Sequence, residues 1–228
     1  MNTTTDLSAG AGTAGSASPD SALWRLASRL CPVTGLWVNR DSELLVRWNA
    51  VVGIVFLLVG VVAALLLALT RWQAVHLLEP TWYYRILTLH GLNMLIFFII
   101  FFEMAILYFA GPIVLGSRQP APKLAWTGFA LMLVGALLVD VIVLWGRADV
   151  LFTSYVPLRA SPPFYLGIIL FAVGALIVTG IFFANLVVAK REKRYEGSLP
   201  LVVYGAVTAA IITVITLLHG AAIYIPTF

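Results

Sequence analysis

Charge is scarce in this chain. Only 11% of its 228 residues are Asp, Glu, Lys or Arg, where soluble globular domains carry about 25%. Residues 160–189 and 197–228 hold no charged side chain at all. That composition excludes an ordinary soluble enzyme. Cysteine is nearly absent, Cys31 standing alone, which excludes an internal disulfide framework and a cysteine-only metal site. Histidine is limited to His76, His90 and His219. The first residues lack the basic start and apolar core of a secretory signal. The net charge of +4 comes from bases scattered between apolar runs. A nucleic-acid binder gathers its bases on one face, so no nucleic-acid partner is expected. No internal repeat is found.

Apolar surface is what the chain has in abundance, at 61% of residues. It falls into five long runs, near 45–70, 86–109, 124–146, 164–189 and 199–223. Each is long enough to cross ~30 Å of hydrocarbon at 1.5 Å per residue. The runs do not alternate as barrel strands do, and a helix satisfies its own backbone inside lipid. The expected fold is therefore an all-α membrane protein of five transmembrane helices, with membrane lipid as its surroundings.

Residues 1–21 are rich in Ser, Thr, Gly and Ala and too polar to offset chain entropy by burial, which reads as a disordered tail. Residues 22–44 form a juxtamembrane segment. There Leu23, Trp24, Leu26, Leu30 and Trp37 mingle with Arg25, Arg29 and Arg40, a pattern that suits either a short interfacial helix or a plain linker. Residues 45–228 form the membrane domain. Ten of the fourteen lysines and arginines fall on one side of the five runs, the densest group being KREKRYEGS at residues 190–198. The positive-inside rule then places the N-terminus in the cytoplasm and the C-terminus outside.

Polar groups at membrane depth are costly and point to function by default. His90 sits in YYRILTLHGLNMLIFF, residues 83–98, about a turn inside the second run. Its ring can ligate a metal through one nitrogen while the other bonds a carbonyl or hydroxyl. It can equally be a neutral histidine bonded between helices. Gly91 would let a flat macrocycle approach the backbone, with Thr88, Tyr83 and Tyr84 along its edge. Asn93 lies on the same helix. Glu103, deeper in that run, either carries protons or is kept neutral by burial. Asp140, in the outer third of the third run, is close enough to the surface to reach water or Arg147. His219 faces either a buried site or the outer interface, and His76 lies in a loop. The aromatic run Phe97, Phe98, Phe101 and Phe102 reads as lipid-facing packing. The segment ADVLFTSYVPLRASPPFYLG, residues 148–167, has three prolines and several aromatics, which suits a rigid lid over something buried or a tight connection.

Two of these segments together resemble subunit I of the heme–copper oxidase superfamily, the cytochrome c oxidase subunit I type. YYRILTLHG followed by an aromatic-rich helix resembles its second helix, and FTSYVPLRASPPFYLG resembles its outer loop between helices III and IV. The similarity covers residues 45–228 and helices I–V, and is greatest to the B-type branch. The inner loop GPIVLGSRQPAPKLAW lacks the Asp-containing pattern of the A-type branch. The resemblance implies that His90 is one axial ligand of a low-spin heme, which passes electrons to a heme–copper centre reducing O2 to water. It implies that Tyr155 and Arg159 in the loop, with Gly91 and Tyr84 on the helix, lie near the heme edge. It also implies an oxidase subunit II, a cytochrome c-type or cupredoxin electron donor, and a place in the prokaryotic plasma membrane.

The same resemblance sets out what these helices do not carry. Subunit I has about twelve helices, and the second low-spin heme ligand and the ligands of the heme–copper centre belong to later ones. The chain is then expected to be catalytically incomplete alone, as part of a split subunit completed by another polypeptide or as a truncated product. A nitric oxide reductase-like relative fits the same residues. Two readings from other classes are a stand-alone membrane cytochrome b, with His90 and His219 on one heme, and a non-redox helical scaffold or transporter. The first would need both histidines at one depth. A transporter would show broken helices and a repeat.

Overall fold

The computed structural model describes residues 28–33, 35, 37–151, 153, 154, 157–192 and 197–227. Five long apolar helices carry it. They are α1 (Arg40–Arg71), α2 (Pro80–Ile113), α3 (Pro122–Leu144), α4 (Pro162–Arg191) and α5 (Leu201–Thr227). Each has the length and composition to cross a membrane, as the five apolar runs lead one to expect. Proline opens α2, α3 and α4, because its missing N–H is one of the donors a helix start leaves unpaired anyway. Helix α2 begins six residues before its apolar run for this reason. Helix α3 ends on Gly146 in the left-handed region (φ 75°), the conformation that closes a helix C-terminus.

The segment before α1 is not a helix in its described part. Ser28–Leu30 (β1) pairs antiparallel with Trp37–Asn39 (β2), Arg29 lying opposite Val38. The interfacial-helix expectation for residues 22–44 therefore fails at 28–30 and 37–39, and its Trp24 and Arg25 lie outside the described residues. The hairpin is tied to α1 by Arg29, whose guanidinium donates twice to the Glu43 carboxylate at 2.8 and 2.7 Å. A bidentate pair of this kind fixes orientation as well as distance. Asn39 then caps α1, its side-chain oxygen accepting from the N–H groups of Asp41 and Ser42.

Small residues set the helix packing. On α1 the buried stripe Ser42, Leu45, Asn49, Gly53, Phe56, Gly60, Ala63, Leu67, Thr70 recurs every three or four residues, as one face of a helix must. Gly53 and Gly60 bring α2 close: a Cβ on Gly60 would lie 2.5 Å from Met94 Cγ. Helices α3 and α4 pack closer still. A Cβ on Gly135 would lie 2.5 Å from the Gly167 carbonyl oxygen, and one on Gly174 would lie 2.5 Å from that of Gly128. Without a hydrophobic force between helices in lipid, such backbone approach is a main source of packing energy. Phe97 and Phe101 are completely buried between these helices, with ring centroids 5.0 and 5.6 Å from Phe171. That corrects the lipid-facing reading of half the aromatic run, whereas Phe102 does face outward.

Helix α2 is not uniform. Asn93–Phe97 and Phe109–Ile113 are π-helical, the second containing Pro112. Wide turns of this kind cluster at functional positions.

Gly135→Ala should lower thermal stability in detergent, because the colliding atoms are backbone and cannot swing aside. Overpacking costs about 1–3 kcal/mol. Gly205→Ala, where a Cβ would meet nothing within 4 Å, should leave the melting temperature unchanged or raise it, since Ala is the better helix former. Equal melting curves for the two variants would contradict the close-packed α3–α4 seam.

Candidate functional site

His90 is half-buried on α2, in the last turn before the π segment. Its Nδ1 lies 2.9 Å from the carbonyl oxygen of Gly60 on α1. A carbonyl only accepts, so Nδ1 carries a proton, and in the neutral ring the lone pair is then on Nε2. Nε2 makes no hydrogen bond to any described residue. The contact depends on the missing side chain of Gly60, which lets the α1 backbone approach Met94 and the ring above it. Gly91 beside the histidine is buried. The arrangement is that of an imidazole oriented through one nitrogen and left as a base at the other, the form in which histidine ligates a metal.

One turn on, Asn93 is completely buried. Its amide nitrogen donates to the Leu89 carbonyl and to Asp140 Oδ1 on α3, both at 2.9 Å. Asp140 is therefore held within the bundle by Asn93, not by Arg147 as its place in the sequence allowed. Arg147 lies instead over the Trp145 ring. Asn93 Oδ1 has no partner.

The connection between α3 and α4 folds against the start of α2. Thr88, two residues from His90, accepts the N–H of Leu151 at 2.9 Å, and Leu151 itself is held at φ 60°. Arg85 lies 3.4 Å from Asp149 and over the Trp82 ring. Ala148 and Val150 are buried. Tyr84 is exposed and borders an open pocket of about 420 Å³ with Pro80, Thr81, Asp149, Leu151 and Leu158. Arg159 is exposed in the same connection. Tyr155 lies outside the described residues. The structure thus brings Thr88, Tyr84 and the connection together at the N-terminal part of α2, in a pocket that His90 does not line.

The remaining polar candidates are elsewhere. Glu103 accepts a hydrogen bond from Thr213 on α5. His219 is exposed on α5, and His76 is exposed in the α1–α2 connection. Among the described residues, no three His, Cys, Asp or Glu side chains gather as a metal site would require. The parts that sequence reasoning missed are Gly60, whose only sign was a glycine in an apolar helix, and the pairing of Asn93 with Asp140.

The sequence pattern of the family described as "Cytochrome C and Quinol oxidase polypeptide I" matches residues 44–228. A chain in the cryo-EM structure of a heme-copper terminal oxidase dimer is similar, with a TM-score of 0.70 and 25% identity. The alignment covers 78% of this chain and 31% of that one, so this chain spans less than a third of its length. No curated protein sequence matches.

Asn93→Ala should destabilise the fold more than Asp140→Asn. The first strands a carboxyl inside the bundle, and an unsatisfied buried polar group costs about 1–3 kcal/mol. The second retains an oxygen that accepts from Asn93. Unfolding in detergent measures the difference, and the reverse order would contradict the α2–α3 pairing.

Proposed function

The chain belongs to the cytochrome c and quinol oxidase polypeptide I family, and on that premise we propose that His90 is an axial ligand of a low-spin heme in a respiratory terminal oxidase. The observation that carries this reading is the state of the imidazole: Nδ1 is committed to the Gly60 carbonyl and Nε2 is left to bind iron. A heme bound there would supply a one-electron carrier between an external donor and a heme–copper centre that reduces O2 to water.

The chain's own residues orient and enclose. Gly60 fixes the ring and its tautomer, and a hydrogen bond to the far nitrogen makes a ligating imidazole a stronger donor. Asn93 and Asp140 hold α3 on α2 a turn away, which limits rotation of the His90 backbone. Gly91 adds no side chain beside the ligand. Leu151 on Thr88 draws the α3–α4 connection over the same end of α2, where Tyr84, Tyr155 and Arg159 are the residues we place at the heme edge. The second axial ligand and the heme–copper ligands belong to further subunit I helices, on this polypeptide or on a partner. Subunit II and a cytochrome c-type or cupredoxin donor complete the assembly. We place residues 45–228 as one membrane domain of the prokaryotic plasma membrane, with the His90 end of α2 towards the outside.

His90→Ala in the assembled protein should abolish the low-spin heme bands of the reduced-minus-oxidised spectrum, while His219→Ala leaves them in place. Bands that persist in His90→Ala would overturn the assignment. Topology has its own test at Val33, which is 90% exposed on the hairpin turn. In a Cys31→Ser background, Val33→Cys should react with a membrane-impermeant maleimide in inverted vesicles and not in right-side-out ones. The opposite result would invert the proposed orientation.

A further inference from the structure

Glu103 is the one acidic side chain of α2 within the membrane-spanning apolar stretch, and nothing in the heme reading uses it. At 1.5 Å per residue, about 15 Å of helix separates it from Ile113 at the end of α2. Its partner Thr213 lies midway along α5, and the Thr213 hydroxyl donates to Glu103 Oε1. Both line a groove of about 330 Å³ between α2, α4 and α5.

The groove has almost nothing else to offer a charge. From α2 it receives Leu95, Ile96 and Ile100, and its lining from α4 is wholly apolar. Helix α5 adds only the hydroxyls of Thr213 and Thr216 and the Tyr224 phenol. No cationic side chain faces Glu103 from any of the three helices. An uncompensated carboxylate at membrane depth is costly, and one threonine hydroxyl supplies a hydrogen bond and no positive charge.

We infer that Glu103 and Thr213 form a proton-binding site within the membrane, reached from the apolar groove. Thr213 engages Oε1 and sets the carboxyl plane, and Oε2 carries the proton. The site is independent of His90 and of any heme, so loss of the heme spectrum does not bear on it.

A protonated carboxyl in an apolar groove has a diagnostic reaction with dicyclohexylcarbodiimide. The carboxyl proton passes to a carbodiimide nitrogen and the carboxylate oxygen bonds the central carbon. The resulting O-acylisourea rearranges by acyl transfer to nitrogen, giving a stable N-acylurea with no group lost. The full chain in phospholipid vesicles, treated with this reagent near neutral pH and mapped by peptide mass spectrometry, should carry the adduct on Glu103. Modification should fall away as the pH of the medium is raised. Glu103→Gln should lose it while keeping an acceptor for Thr213, so that its unfolding curve stays near that of the parent. Thr213→Val should remain reactive. A water-soluble carbodiimide should leave Glu103 unmodified. The inference is overturned if Glu103 stays unmodified in both the parent and Thr213→Val, or if the water-soluble reagent modifies it equally well.

Discussion

A backbone amide in hydrocarbon has no water to turn to, and each one left unpaired costs several kcal/mol. Most of the structure follows from that constraint. It makes each apolar run a helix from end to end, and it requires local repair wherever the helix is interrupted. Pro112 removes one donor inside α2, and the π-helical turn around it re-pairs the neighbours, with the Val114 N–H reaching the Phe109 carbonyl at 3.0 Å. Thr70, Thr88 and Thr179 return their hydroxyls to carbonyls one turn back. Side chains so occupied cost the bundle little and leave few polar groups to direct assembly.

Specificity then rests on the few contacts that are not generic. The four glycines Gly128, Gly135, Gly167 and Gly174 interlock the backbones of α3 and α4, and Gly53 and Gly60 do the same for α1 and α2. Against that apolar packing, the bonds from His90 to Gly60, Asn93 to Asp140 and Thr213 to Glu103 each join a different pair of helices. All three begin or end on α2. That helix is the centre of the described bundle, carrying the histidine at one end, the buried Phe97 and Phe101 in the middle and Glu103 beyond them.

The number and order of the helices could be read from the sequence, because an apolar run of membrane length permits little else. Prolines stand at the starts of three of the helices, Pro80 six residues ahead of its apolar run. His90 stands out in the sequence as a polar residue at membrane depth, and its ring bonds to a backbone carbonyl of α1. The identity of that partner was not visible, since Gly60 lies thirty residues away and acts through a carbonyl that every residue possesses. The sequence leaves Asp140 open to water or Arg147, and helical rotation turns it instead to Asn93. The hairpin before α1 was missed because three-residue strands leave no periodic trace, and Leu, Trp and Arg at those spacings resemble an amphipathic turn. The burial of Phe97 and Phe101 depends on where Phe171 arrives from α4, which local sequence does not encode.

The π segment at Asn93–Phe97 divides α2 into two stretches, His90 above it and Glu103 below. A turn of this kind holds an additional residue, so the angular phase between the two stretches is set within those five positions. Removing one residue from the regular helix between His90 and Glu103, outside that turn, would barely shorten α2. It would rotate one stretch against the other by about 100°, the angle each residue contributes at 3.6 per turn. The histidine would then leave Gly60 or the glutamate would leave Thr213, since both could not be kept. Length changes in α2 are therefore changes of aim, and the helix can tolerate substitution far better than it can tolerate a gain or loss of a single residue.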